Sequence, residues 1–177
     1  MSDSSHSPDP SNDNKRLIIV WHSRTGTAEA LARAAADGAQ AAGEAVEVHL
    51  VRAEEVTAAE MLGADGYVFA GPENLAGLSG AMKEMVDRQY YALLDQIAGR
   101  PWALIIAAGT DGEGAARQWH RIATGWRLKA VAEPMIVRTG ADTAETIWAT
   151  KTVPEARLAE ARELGAAMAS GLAMGVF

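Results

Sequence analysis

Cysteine is absent from the 177 residues. Disulfides, thiolate metal sites and thiol catalysis are therefore excluded. No apolar run reaches the roughly 18–20 residues needed to span a bilayer. Positive charge is in the minority: 16 Lys and Arg stand against 23 Asp and Glu, a formal net charge of −7. That balance argues against nucleic acid as a main partner. It also argues against docking on an anionic membrane. His6, His22, His49 and His120 show no metal-ligand spacing, so no metal site is expected.

Residues 1–14 are mostly Ser, Asp, Asn and Pro with one His. They lack the basic start and apolar stretch of a signal peptide. The composition reads as a disordered tail, with a partner-binding arm as the functional alternative. The expectation is a cytoplasmic protein with one domain over residues 15–177. Its 49% apolar and 22% charged residues suit a globular core.

Five short apolar runs carry the organisation. Arg16–Trp21 has the length and β-branched content of a strand buried on both faces. Val46–Val51, Gly66–Ala70, Trp102–Ala107 and Pro134–Val137 read as four more strands. Between them lie an Ala-rich helix over 28–42, a short helix starting near Thr57, a helix from about Ser79, and one from about Ala115 to Gly125. A terminal helix spans 154–172 with Pro154 in its first turn. Residues 71–78 read as a long loop. This alternation predicts a doubly wound α/β fold: a five-stranded parallel sheet in the order 2-1-3-4-5 between two helix layers.

In such a sheet, ligands bind beyond the carboxyl ends of the strands, where strand order reverses. There the sequence places Ser23-Arg24-Thr25-Gly26-Thr27, directly before a helix. Free N–H groups at a helix start, three hydroxyls and a glycine would make a phosphate cradle without lysine. An ordinary helix cap is the alternative. Two glycine-rich loops, 71–80 and 108–114, follow the third and fourth strands. Three such loops converging on one edge favour a ligand. His22 adjoins the first loop and reads either as a site residue or as a solvated loop residue.

Rival chemistries fail at the same positions. Gly109 to Gly114 reads G-x-x-G-x-G, which is no dinucleotide fingerprint, and G-K-[ST] is missing. A phospho-receiver would need acidic residues where Trp21-His22 and Ala70-Gly71 stand. No G-x-S-x-G elbow is present.

At these loops the sequence resembles the flavodoxin-like NAD(P)H-dependent FMN reductase and quinone reductase families, over about residues 16–137. Residues 23–29 look like the flavodoxin phosphate loop S/T-x-T-G-x-T, with Ala28 in place of the last Thr. Residues 78–88 look like the reductase segment S-G-x-x-K-x-x-x-D-R. The resemblance implies a flavodoxin-like fold and FMN as cofactor. Ser23, Arg24, Thr25, Gly26 and Thr27 would hold the phosphate. Pro72, Glu73, Asn74 and Leu75 would lie along the isoalloxazine edge. Gly109, Thr110, Asp111 and Gly112 would close its other side.

The expected activity is electron transfer from NAD(P)H through FMN to a quinone, flavin or similar small acceptor. The cofactor carries that chemistry, so no essential catalytic side chain is expected. Residues 72–77 hold no aromatic, which implies an open ring face. The alternatives are a flavodoxin-type electron carrier and a flavin-free binding domain on the same fold. Related reductases are commonly dimeric, and Tyr90, Tyr91, Trp119 and Trp126 flank the loops, so a homodimer is expected.

Overall fold

The computed structural model describes residues 14–43 and 45–177. The tail read over residues 1–14 lies, but for Asn14, outside the described residues. The elements run β1 Lys15–Trp21, α1 Thr27–Ala41, β2 Val46–Arg52, α2 Ala58–Gly63, β3 Gly66–Asn74 and β4 Gly77–Leu78. They continue with α3 Gly80–Leu93, β5 Pro101–Ala108, α4 Glu113–Gly125, β6 Lys129–Ala130, β7 Met135–Arg138, α5 Ala144–Trp148 and α6 Glu155–Met174.

The strands form one sheet in the order β2-β1-β3-β5-β6, with β4 on β3 and β7 on β5. Every pairing is parallel except β3 with β4. The five expected strands and their order are present as β2, β1, β3, β5 and β7, and two short strands are added. Side chains alternate across the sheet, so each strand feeds two cores. Ile18, Val20, Tyr67, Phe69, Trp102 and Leu104 face α2, α3 and α4. Leu17, Ile19, Val68, Ala70, Ala103 and Ile105 face α1 and α6. The result is the flavodoxin-like three-layer arrangement.

The first core is aromatic. Phe69 stacks on Trp119 with centroids 4.3 Å apart, and Trp102 and Trp126 pack around them. Trp119 and Trp126 are thus core residues, each 1% exposed, and are not available as dimer contacts. Of the four aromatics read as interface candidates, only Tyr90 and Tyr91 reach the surface. The second core is built on small residues. A Cβ on Gly38 would fall on the Arg162 backbone, and one on Gly165 would fall on the Ala35 carbonyl. The backbones of α1 and α6 therefore touch.

Two elements differ from the sequence reading. The fifth strand, β7, is preceded by a two-residue strand, β6, that the sequence reading lacks, and both pair with β5. Pro134 lies in the gap; it has no N–H to donate, and an edge strand tolerates that break. The long loop read over 71–78 is instead a hairpin, in which β3 runs on through Pro72 and turns back as β4. Ala70 accepts from the His22 N–H at 3.0 Å. Pro72, two residues on, faces the same side, where β1 has already ended, so its missing N–H breaks no ladder bond.

The hairpin turns at Leu75 and Ala76, with φ of 51° and 62°. A two-residue type I′ turn requires positive φ at both places, which normally selects Asn-Gly. Leu and Ala are strained there. Leu75→Asn with Ala76→Gly is expected to raise the urea midpoint by the equivalent of about 1 kcal/mol, the usual scale of such a penalty. An unchanged midpoint would mean that the turn relaxes its strain in solution.

Candidate functional site

A cavity of about 720 Å³ opens at the carboxyl ends of β1, β3 and β5. That volume suits a cofactor-sized ligand. Ser23, Arg24, Thr25 and Thr27 line it from the first loop. Pro72, Glu73, Asn74 and Leu75 line it from the hairpin, and Gly109, Thr110 and Asp111 from the loop after β5. Gly26 and Gly112 do not face the cavity. They are the N-caps of α1 and α4, in nearly identical left-handed conformations (φ 94°, ψ −21° and φ 94°, ψ −19°).

These two helix starts share a geometry but not a partner. At α4, the Glu73 carboxylate accepts from the Gly112 N–H at 2.6 Å and the Ala115 N–H at 3.2 Å. The side chain expected along a flavin edge thus ties the hairpin to α4. Gln118 reinforces the tie by accepting from the Leu78 N–H at 2.7 Å. At α1, no side chain caps the first turn. Ser23 Oγ accepts from the Gly26 N–H at 3.1 Å and so shapes the loop before the helix. Thr27 Oγ1 is buried and, among the described residues, finds no hydrogen-bond partner. A buried hydroxyl without a partner is costly. Beside an uncapped helix start, it suits an anion with several acceptor oxygens.

His22 is not a solvated loop residue. It is 6% exposed, its Nδ1 shares a hydrogen bond of 2.9 Å with Ser79 Oγ, and Nε2 lies 3.8 Å from Glu54. Ser79 is the N-cap of α3, yet its hydroxyl serves His22 in place of the helix. The pair fastens the end of β1 to α3 just below the first loop. Burial holds the imidazole below its ordinary value of 6.5; Glu54 opposes this, and Arg24 and Arg52 add to it. With the folded value depressed, the unfolded chain binds the extra proton first, so stability is lost as pH falls below about 6.5. We expect the difference in urea midpoint between pH 7.5 and pH 5.5 to shrink in His22→Gln. An equal difference in both proteins would assign the acid sensitivity to other groups.

One stretch of the cavity wall has no counterpart in the sequence reading. Thr139, Ala141, Ile147, Trp148 and Lys151 line it from the connection between β7 and α6. Its short helix α5 is set by a capping box between Thr143 and Thr146. The T-x-x-T spacing before Ile147-Trp148 was the available signal. The expectation of an open ring face rested on residues 72–77 alone, whereas Trp148 brings an aromatic to another rim. Among the described residues, no group of three or more metal-binding side chains gathers anywhere, and no helix is long and apolar enough to cross a membrane.

Residues 53–141 match the family described as NADPH-dependent FMN reductase. The chain belongs to that family. The match takes in the hairpin and the loop after β5, while the first loop precedes it. This FMN reductase family member is also 29% identical, over 99 residues, to a flavodoxin of Aquifex aeolicus (strain VF5). Those residues make up 56% of this chain and 53% of that protein, so the chain spans about half the length of the curated relative it matches.

Solved structures resemble the family member over nearly all of its length. A flavodoxin from the domain Archaea superimposes with a TM-score of 0.71 at 16% identity, over 89% of this chain and 98% of that one. The flavodoxin, WrbA-like protein from Agrobacterium tumefaciens does so with a TM-score of 0.71 at 18% identity, over 91% and 98%. At such identities the likeness concerns the fold, which is flavodoxin-like.

Proposed function

We propose that the cavity holds FMN and that the protein is an NAD(P)H-dependent oxidoreductase acting on a quinone, flavin or similar small acceptor. The observation that carries this reading is the first turn of α1: uncapped, hydroxyl-lined, with Thr27 Oγ1 buried and unpartnered at one end of the cavity. When bound there, FMN would supply the redox chemistry, hydride uptake and onward electron transfer.

The protein's own residues position and shield. Ser23, Thr25 and Thr27, with the free N–H groups opening α1, hold the phosphate. Gly26, left-handed at φ 94°, lets the loop turn its amides to one side. The hairpin and the 109–112 loop would flank the ring, and Glu73 fixes them to each other through α4. Arg138 steadies the second loop by donating to the Asp111 carbonyl at 2.7 Å. Backbone N–H groups of that loop would stabilise negative charge developing on the ring. A cytoplasmic homodimer belongs to the same reading, with the exposed Tyr90 and Tyr91 as contacts.

The purified protein, incubated with FMN and freed of excess, is examined for flavin absorbance. NADH and NADPH oxidation are then followed with and without a quinone. Bound flavin with acceptor-dependent oxidation is the expected result. Bound flavin without NAD(P)H oxidation would favour the electron carrier, which the flavodoxin relative and the net charge of −7 also fit. No bound flavin would favour a flavin-free binding domain.

A further inference from the structure

The connection from β7 to α6 crosses from one rim of the cavity to another. It leaves β7 beside the loop after β5, where the Thr139 and Gly140 N–H groups donate to the Ala108 and Gly109 carbonyls at 2.9 and 2.8 Å. The approach is tight, since a Cβ on Gly109 would fall on the Ala141 carbonyl oxygen. At its far end the Lys151 N–H donates to the Thr25 carbonyl at 3.0 Å, on the first loop. Lys151 Nζ folds back onto the Ile147 and Ala149 carbonyls and closes the turn after α5. The segment is thus a strap fastened to both loops that the FMN reading uses.

What the strap presents is unusual for surface structure. α5 buries none of its residues. Its two large apolar side chains, Ile147 and Trp148, are 52% and 77% exposed, and both line the cavity. Trp148 is the only aromatic lining it among the described residues. A large indole left open to water beside a cofactor-sized cavity, on a helix that no core holds in place, fits a side chain whose partner is a bound planar molecule.

We propose that Trp148 is the stacking wall of the cofactor cavity, with the indole packing against a face of the flavin ring and Ile147 beside it. This rests on the FMN reading above and adds to it a residue and a segment. Thr25 then has a second role. Its carbonyl anchors the strap, so the loop that grips the phosphate also sets where the indole stands.

The experiment uses the full chain with FMN as probe and follows flavin emission and Kd in the native protein, Trp148→Phe and Trp148→Ala. Indole in contact with a flavin quenches its emission by electron transfer, whereas a phenyl ring stacks without doing so. The native complex should be strongly quenched. Trp148→Phe should recover much of the emission while keeping Kd within about threefold. Trp148→Ala should recover it and weaken binding about three- to tenfold, the scale of one aromatic contact. A merely structural role would not separate emission from affinity in the Phe variant. If the native protein binds FMN and both variants keep its quenching and Kd, Trp148 is not the wall and the FMN reading stands. If the native protein binds no FMN, that reading fails and this proposal fails with it.

Discussion

Gly165→Val is expected to lower stability by about 3 kcal/mol, at the upper end of the overpacking range. Any Cβ at Gly165 would lie inside the Ala35 carbonyl group, and Gly38 meets the Arg162 backbone in the same way from the other helix. Side chains can relieve a clash by changing rotamer, but here both parties are backbone. Either α1 and α6 separate or the helices bend, and each course opens the core of Leu31, Ala35, Met168 and Leu172. For a chain of this size the melting temperature should fall by about 6–12 °C. Gly125→Ala is the control, because nothing lies within 4 Å of a Cβ there, and as a glycine-to-alanine change in a helix it should keep the midpoint or raise it slightly. A Gly165→Val midpoint equal to the native one would mean that the two backbones are not in contact.

Thr25→Ala combined with Thr27→Val is expected to weaken FMN binding by about 1–3 kcal/mol, or roughly 5- to 150-fold, the range for hydrogen bonds to a charged group. The stability of the FMN-free protein should move the other way or not at all. Thr27 Oγ1 is buried without a partner, so a methyl of the same shape removes an unmet polar group. This opposition of signs separates a ligand contact from a helix cap, whose loss would destabilise the free protein by about 1 kcal/mol. Titration by flavin fluorescence gives the affinity, and urea unfolding without FMN gives the stability. Unchanged affinity would move the phosphate elsewhere. A destabilised free protein would restore the cap.

The strand order was legible because both faces of each central strand are buried. Arg16–Trp21, Gly66–Ala70 and Trp102–Ala107 have to be apolar at nearly every position, and β-branched residues dominate the first. Where polar atoms decide the structure, pattern reading was weaker. Pro72 looked like the end of a strand, yet β3 continues because its neighbour has already stopped. Pro134 does stand at the start of the fifth strand as read, but β6 before it has only two residues, too few for a pattern to show. α5 is held by hydroxyls rather than by an apolar stripe, so periodicity passed over it, and with it Trp148. The cavity-lining loops were found at the switch point of the sheet. The job of Glu73 was not, because its partners stand 39 and 42 residues away and only the folded chain brings them together.

The short edge formed by β6 and β7 bears on how the protein behaves when concentrated. An open sheet has two edges, and an edge with a long row of free N–H and C=O groups is a template for fibrous polymerisation. Here one edge consists of two residues in β6 and four in β7, with proline between them. The other edge, β2, carries Glu47, His49 and Arg52 along seven residues. Neither offers an incoming strand a long, neutral, uninterrupted run. Strand-by-strand growth into a fibril is therefore disfavoured at both edges of the sheet.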